Sequence, residues 1–232
     1  MKPKVEKITG WIKKQVEESG AKGIVIGMSG GIDSSVAAAL CKKACGNTLG
    51  LILPCESGPE DLEDAKLVAG KFGVETQVID LSEVFAGAVK PLGESDKKTQ
   101  GNLKARLRMC ALYYAANQKN YLVAGSGNKS EISVGYFTKH GDGAADFLPL
   151  GGLLKTEVIE LAKSLGVPEK IIKKPPSAGL WAGQTDEEEM GFTYAELDRF
   201  LSTGEGKSDT VKKIKTMIKK NEHKKRSAAA LC

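Results

Sequence analysis

Ser29-Gly30-Gly31-Ile32-Asp33-Ser34-Ser35 follows the apolar run at 23–28 (GIVIGM) and leads straight into the alanine-rich stretch at 36–40 (VAAAL). The order is strand, glycine loop, helix start. Two glycines let the backbone turn so that its N–H groups converge on one point, and a helix beginning near Asp33 adds the positive end of its dipole. Such a nest suits a phosphate chain. The common P-loop is excluded, because it needs four residues between its glycines and a lysine after the second, where this chain has Ile32. The plain alternative is a glycine turn with Asp33 or Ser34 as an N-cap.

Outward from this loop, apolar runs at 23–28, 48–54, 74–80 and 121–125 read as buried strands, each followed by a stretch of helical period. The helices are expected at 34–44, 60–72, 81–89 and 102–118, with Gly46 and Gly73 as stops. This alternation predicts an α/β fold: a single open, mostly parallel sheet with helices on both faces and right-handed crossovers. Ligands of such a sheet gather at the carboxyl ends of the strands. There the Ser29 loop, Pro54-Cys55-Glu56 and the Ser126 segment all emerge. The spacing of Ile8, Trp11, Ile12 and Val16 marks one face of a helix before the first strand.

At 232 residues the chain has room for one well-buried domain, expected over 1–232. No apolar stretch reaches the length of a bilayer span and the start has no apolar leader, which points to the cytoplasm. Five cysteines form no C-x-x-C pair, and only two histidines are present to help them, which argues against zinc. Cys41 and Cys45 lie one helical turn apart and read as small packed thiols; no chemistry is assigned to them or to Cys232. The net charge of +5, from 34 basic and 29 acidic side chains, is concentrated near Lys212, Lys213, Lys215, Lys219, Lys220, Lys224, Lys225 and Arg226. This run reads either as a nucleic-acid footprint or as the solvated side of a helix whose buried side is Val211, Ile214 and Ile218. The lack of interleaved aromatics argues against nucleic acid.

Two segments break the pattern. Residues 137–152 hold Gly141, Gly143, Gly151 and Gly152 with Lys139, Asp142 and Asp146 among them, which predicts a mobile cover over a site. Residues 173–190 contain Pro175-Pro176, then Gly179 and Gly183, then Asp186-Glu187-Glu188-Glu189; Thr185 with Glu188 suggests a capped helix start rather than a metal cluster. A triphosphate needs cations as well as a nest. Asp33 and Glu131 are candidates to share one Mg²⁺, and Lys139 and Lys155 to neutralise phosphate charge; taken singly, Lys155 reads as a solvated lysine at a helix start.

The loop resembles the SGGxDS pyrophosphate loop of the ATP pyrophosphatases, which cleave ATP to AMP and pyrophosphate. That loop is shared with GMP synthetases, asparagine synthetases and tRNA-modifying enzymes. More selective is the series GMSGGIDS (27–34), NLKARLRM (102–109), GSGNKSE (125–131) and GYFTKHGDG (135–143) with Asp146, Pro149-Leu150 and Lys155. It continues in PSAGL (176–180), GQTDEEE (183–189) and His223-Lys224. In this order and separation the series resembles the NAD synthetases, which turn deamido-NAD into NAD with ATP and ammonia.

The resemblance implies that Gly27, Met28, Ser29, Gly30, Gly31, Ile32, Asp33 and Ser34 hold ATP phosphates and that Asp33 and Glu131 bind Mg²⁺. It implies that Ser126, Lys155 and Ser177 contact ATP, where many relatives have threonine at the two serines. Arg106, Lys139, Asp146, His223 and Lys224 would contact deamido-NAD, with Arg106 and Arg108 exchangeable. Asp33, Lys155 and Lys139 are the expected catalytic residues. A homodimer is implied, for which Trp11, Ile12 or Tyr113-Tyr114 offer packing surface; the alternative is that they fill the chain's own core. About twenty residues precede the first strand, so no glutaminase domain is expected there and free or delivered ammonia is the expected nitrogen source. Two other readings keep the ATP site: a tRNA-modifying enzyme holding RNA on the basic tail, and a non-catalytic nucleotide sensor.

Overall fold

Alternation along the opening strand sets the layers. In a computed structural model, which describes every residue except Glu94, Ala182, Ala229, Leu231 and Cys232, β1 is Ile24–Gly27. Ile24 and Ile26 point to one side of it and Val25 to the other, as the two-residue period of a strand requires. β1 pairs in parallel with β2 (Thr48–Ile52) and β4 (Leu122–Ala124), and β3 (Glu75–Val78) lies beyond β2, giving the order β3-β2-β1-β4. Strands occur where the apolar runs predicted them, each two or three residues shorter, because regular pairing stops before the chain turns at either end.

On the Ile24 side pack α1 (Lys2–Ser19), α2 (Ile32–Ala44), α3 (Pro59–Phe72), α7 (Lys155–Leu165) and α8 (Glu169–Lys173), through Ile12, Val36, Leu40, Val68, Leu161 and Ile171. On the Val25 side α4 (Ser82–Leu92) contributes Phe85, and α5 (Lys97–Lys119) contributes Met109 and Leu112. Each large apolar side chain fully removed from water in these layers contributes roughly 1.5–3 kcal/mol. A third cluster stands apart from the sheet: α6 (Lys129–Val134), α9 (Asp186–Met190), α10 (Tyr194–Thr203) and α11 (Ser208–Asn221) close around Val134, Met190, Leu197 and Ile214. A 3-10 turn at Glu222–Lys224 follows.

Several expectations are corrected. The fifth helix starts at Lys97 rather than 102, because Asp96 caps it by accepting from Thr99 N at 2.7 Å. The fourth extends to Leu92, since Pro91 falls in a last turn that Gly93 ends. Residues 137–152 are only partly a cover: Phe147 and Leu150 are buried in the Ile24-side core, and Phe147 bridges in parallel to Ala124. Thr185 does stand at the N-cap of α9, but its side chain makes no capping bond there. Ile12 fills the chain's own core, whereas Trp11 and Tyr114 are exposed at 42% and 68%. Cys41 and Cys55 are buried, and burial pushes both thiols up. Cys232 lies outside the described residues.

Candidate active site

The sheet order places β4 directly beside β1, with Ile26 opposite Ala124, so the chain leaves these two neighbours toward one crevice. This is where the strand order switches: the chain runs from β1 to β2 and β3 on one side and returns to β4 on the other. A cleft of about 2370 Å³ opens there. That exceeds the usual range of roughly 300–1,000 Å³ for one small ligand, and has room for two nucleotides.

One wall is the predicted loop. Gly27, Met28, Ser29, Gly31, Ile32, Asp33 and Ser34 line the cleft. Gly31 is the N-cap residue of α2 and no side chain caps that helix, so its positive end opens into the cleft, where an anion would be favoured. The loop holds itself together: Ser34 and Ser35 hydroxyls donate to Gly31 O at 3.0 and 2.7 Å, and Gly31 N donates to Ser29 Oγ at 3.2 Å. Gly30 does not line the cleft. Its φ of +79° and its position against α3, where a Cβ would meet Asp61 O at 2.7 Å and Asp64 Cβ at 2.8 Å, make it the residue that lets the loop turn over α3.

Behind the loop lies a buried charged cluster. Lys155, at the first position of α7, is 2% exposed and its ammonium bonds Asp33 and lies 3.6 Å from Glu131. The reading of Lys155 as a solvated lysine is therefore corrected; it does start a helix, but the start is buried under α10. Asn128 donates to Asp33 Oδ1 at 2.9 Å and caps α6 in a reciprocal box with Glu131, whose carboxylate accepts from Asn128 N at 3.2 Å with one oxygen and faces Lys155 with the other. Tyr194 donates to Asp186 Oδ2 at 2.9 Å and touches Glu131 Oε1 at 3.2 Å, and its ring lies 4.8 Å from the Lys155 ammonium.

Burial, reinforced by the Asp33 charge, pushes Glu131 up to about 8, and burial likewise raises Asp186. Burial pulls Lys155 down, but Asp33 and Glu131 outweigh it and hold the ammonium above its ordinary value. Tyr136 and Tyr194 are pushed up by burial and by the carboxylates they face, so both stay hydrogen-bond donors. Asp33 and Glu131 are hard oxygen donors of the kind Mg²⁺ takes, one or two carboxylates alongside phosphate oxygens and water. Among the described residues no set of three or more metal-ligating side chains converges, so a metal held here relies on substrate oxygens for its other positions.

The remaining candidates spread along the rim. Ser126, Ser177, Arg106, Lys139, His223 and Lys224 all line the cleft. Arg106 Nε donates to Lys139 O at 3.2 Å, and Lys139 Nζ to His223 O at 3.1 Å, tying the 137–143 turn to the C-terminal turn. Lys224 donates to Gly135 O and Phe137 O at 2.9 and 2.8 Å, and burial lowers its pKa. Arg108 also lines the cleft, held by Leu53 O at 3.0 Å and Ser57 Oγ at 3.1 Å. Asp146 is not brought to this cleft: it is exposed and accepts from Val123 N at 2.7 Å and Tyr113 Oη at 3.2 Å, pinning the 137–152 segment to β4. The basic run lies on α11 and the turn after it, with Ile214 buried and Lys212, Lys213 and Lys220 lining the cleft.

Sequence reading missed Asn128, Asp186, Tyr136 and Tyr194 as site residues. The N-x-x-E spacing of Asn128 and Glu131 was a capping signal in plain view. Nothing local marks Asp186 among four consecutive acidic residues as the one turned inward.

The family model for NAD synthase matches residues 4–228. The NH(3)-dependent NAD(+) synthetase of Carboxydothermus hydrogenoformans is 51% identical over 96% of this chain and 94% of that protein. Among solved structures, the NMN synthetase of Francisella tularensis is similar at a TM-score of 0.95 and 41% identity over 99% of this chain and 98% of that one. The NH3-dependent NAD synthetase of Campylobacter jejuni reaches 0.84 and 33% over the same shares. With the loop, the charged cluster and the rim in one cleft at the β1/β4 crevice, these likenesses place the chain in the NAD synthase family.

Proposed function

We propose that this protein is an ammonia-dependent NAD synthetase, converting deamido-NAD, ATP and ammonia to NAD, AMP and pyrophosphate. The observation that carries the reading is the convergence of the α2 N-terminus, Asp33, Glu131 and Lys155 at one end of a cleft wide enough for both nucleotides. A nicotinate carboxylate has no good leaving group, so ammonia cannot displace anything from it. Attack of its oxygen on the α-phosphate of ATP gives an acyl adenylate and pyrophosphate; ammonia then attacks the acyl carbon and AMP leaves.

The chain's contribution is position and charge. The uncapped start of α2 and the Ser29–Ser34 turn receive the departing pyrophosphate, and Lys155 shifts from its carboxylate partners to meet phosphate charge as it develops. Asp33 and Glu131 would hold Mg²⁺, which supplies charge neutralisation at the phosphate oxygens when bound. Ser126 and Ser177 hydroxyls serve ATP, and Arg106, Lys139, His223 and Lys224 serve the anionic acceptor at the rim. The linked turns at 137–143 and 222–224 exclude water from the adenylate. We extend the proposal to a homodimer, in which exposed Trp11 and Tyr114 are candidate packing surface.

A second acceptor is favoured by one observation, the TM-score of 0.95 to a protein called NMN synthetase against 0.84 to one called NAD synthetase. The chemistry at the carboxylate would be unchanged and the acceptor a mononucleotide. Mixing the chain with ATP, Mg²⁺, ammonium and either acceptor decides both points. NAD and AMP in equal amounts from deamido-NAD, with the mononucleotide the poorer substrate by kcat/KM, is the expected result. ATP binding without AMP release would instead indicate a sensor.

A further inference from the structure

We infer that Asp198, acting through Ser130, is a positioning residue that holds Lys155 in the site; this rests on the reading that the Lys155 ammonium serves the phosphates. The first amides of α7 need acceptors, because Leu154 at its N-cap has no polar side chain to offer. They find them on other elements. Lys155 N donates to Ser130 Oγ at 2.9 Å, Thr156 N donates to Asp198 Oδ2 at 2.8 Å, and Ser130 Oγ in turn donates to Asp198 Oδ1. The α7 cap is thus supplied in trans by a carboxylate on α10 and a hydroxyl on α6.

Asp198 is 4% exposed and Ser130 fully buried. A buried carboxylate is costly unless its charge is answered, and here both oxygens are answered by a hydroxyl and the positive end of a helix rather than by a cation. One turn earlier on the same face of α10 is Tyr194, whose ring lies under the Lys155 ammonium. A single helix therefore fixes Lys155 at both ends, its backbone through Asp198 and its tip through Tyr194. Ser130 also precedes Glu131, so the same link sets the spacing between the lysine and one of its carboxylates.

The test compares Asp198→Ala, Asp198→Asn, Ser130→Ala and Lys155→Met, with the doubles in the Lys155→Met background, by steady-state kinetics and by ATP titration calorimetry. Asp198→Ala is expected to lower kcat about 10- to 100-fold while KM for deamido-NAD stays within about 3-fold, because a misplacement near 1 Å acts on the transition state more than on binding. Asp198→Asn keeps an acceptor for Thr156 N and is expected to recover most of that loss. Ser130→Ala keeps the Asp198–Thr156 bond, hence the fold, and is expected to lower kcat about 3- to 10-fold. In the Lys155→Met background neither change should weaken turnover or ATP affinity further. Wild-type kcat in Ser130→Ala and in any folded Asp198 variant overturns the inference, as does an equal loss with and without Lys155. Normal turnover in Lys155→Met itself instead overturns the underlying role of the lysine.

Discussion

The phosphate loop and the carboxylate–lysine cluster share Asp33 and sit side by side, yet they are built by opposite means. The hydrogen bonds among Ser29, Gly31, Ser34 and Ser35 that shape the loop join residues at most five apart. The cluster is drawn from across the chain: Asp33 meets Asn128 at a separation of 95 residues and Lys155 at 122, and Tyr194 meets Glu131 at 63. Short-range geometry follows from short-range sequence; a buried charge cluster exists only once three layers have packed. The loop should therefore fail locally when altered, and the cluster should fail as a unit.

The largest effect is expected at the residue both regions share. Asp33→Ala should lower kcat by about 10³-fold or more by stripping charge control from the phosphates. It should also destabilise the chain by roughly 3 kcal/mol, because it removes the nearest partner of a buried ammonium. A melting curve alongside the assay checks both, and an unchanged melting temperature would show that the cluster is not coupled to the fold. The sequence alone placed Asp33 with the phosphates and the metal; the buried ion pair with Lys155 is the reason to expect a loss of stability as well.

Gly30→Ala tests the loop in isolation. With φ at +79° and α3 backbone 2.7 Å from the new Cβ, the substitution should cost roughly 2–4 kcal/mol in urea denaturation. It should weaken ATP binding while leaving the Tyr194–Asp186 bond intact. If instead it disturbs the cluster as strongly as the loop, the two regions are not separable.

The smallest effect lies where α3 supports the loop. Burial works against a charge on Asp64, but bonds from Lys170 and Lys174 outweigh it and hold the carboxyl below its ordinary value. A lowered folded value means that the stabilisation is fully present above the unfolded pKa of about 3.9 and is lost as pH falls through the lower folded one. Asp64→Asn should be less stable than the parent by about 1–3 kcal/mol at pH 7, and the gap in melting temperature should close below about pH 4. A gap that is constant down to pH 2.5 would show that shape, not charge, ties α3 to residue 174.

The strands were legible because burial on both faces leaves an uninterrupted apolar run, and the loop because glycines, serines and an acidic residue at fixed offsets have few other uses. Asp33, Glu131 and Lys139 were legible from their residue types and places along the chain, and Arg106 only through likeness to a family; the structure gathers all four in one cleft while leaving Asp146 at β4. Tyr194 and Asp198 carried no signal of their own: a tyrosine and an aspartate four apart on an amphipathic helix look like any boundary between core and surface.

By itself the sequence determined the parallel sheet, the glycine turn after its first strand and the chemistry that turn invites, since strand alternation and backbone dihedral preference act over a few residues. Only the tertiary structure decided that Asp186 joins Asp33 and Glu131 in one cluster and that Lys155 is buried among them. The physical reason is that burial and electrostatic partnership belong to whatever surrounds a side chain, and here those surroundings come from α2, α6, α7 and α10 together.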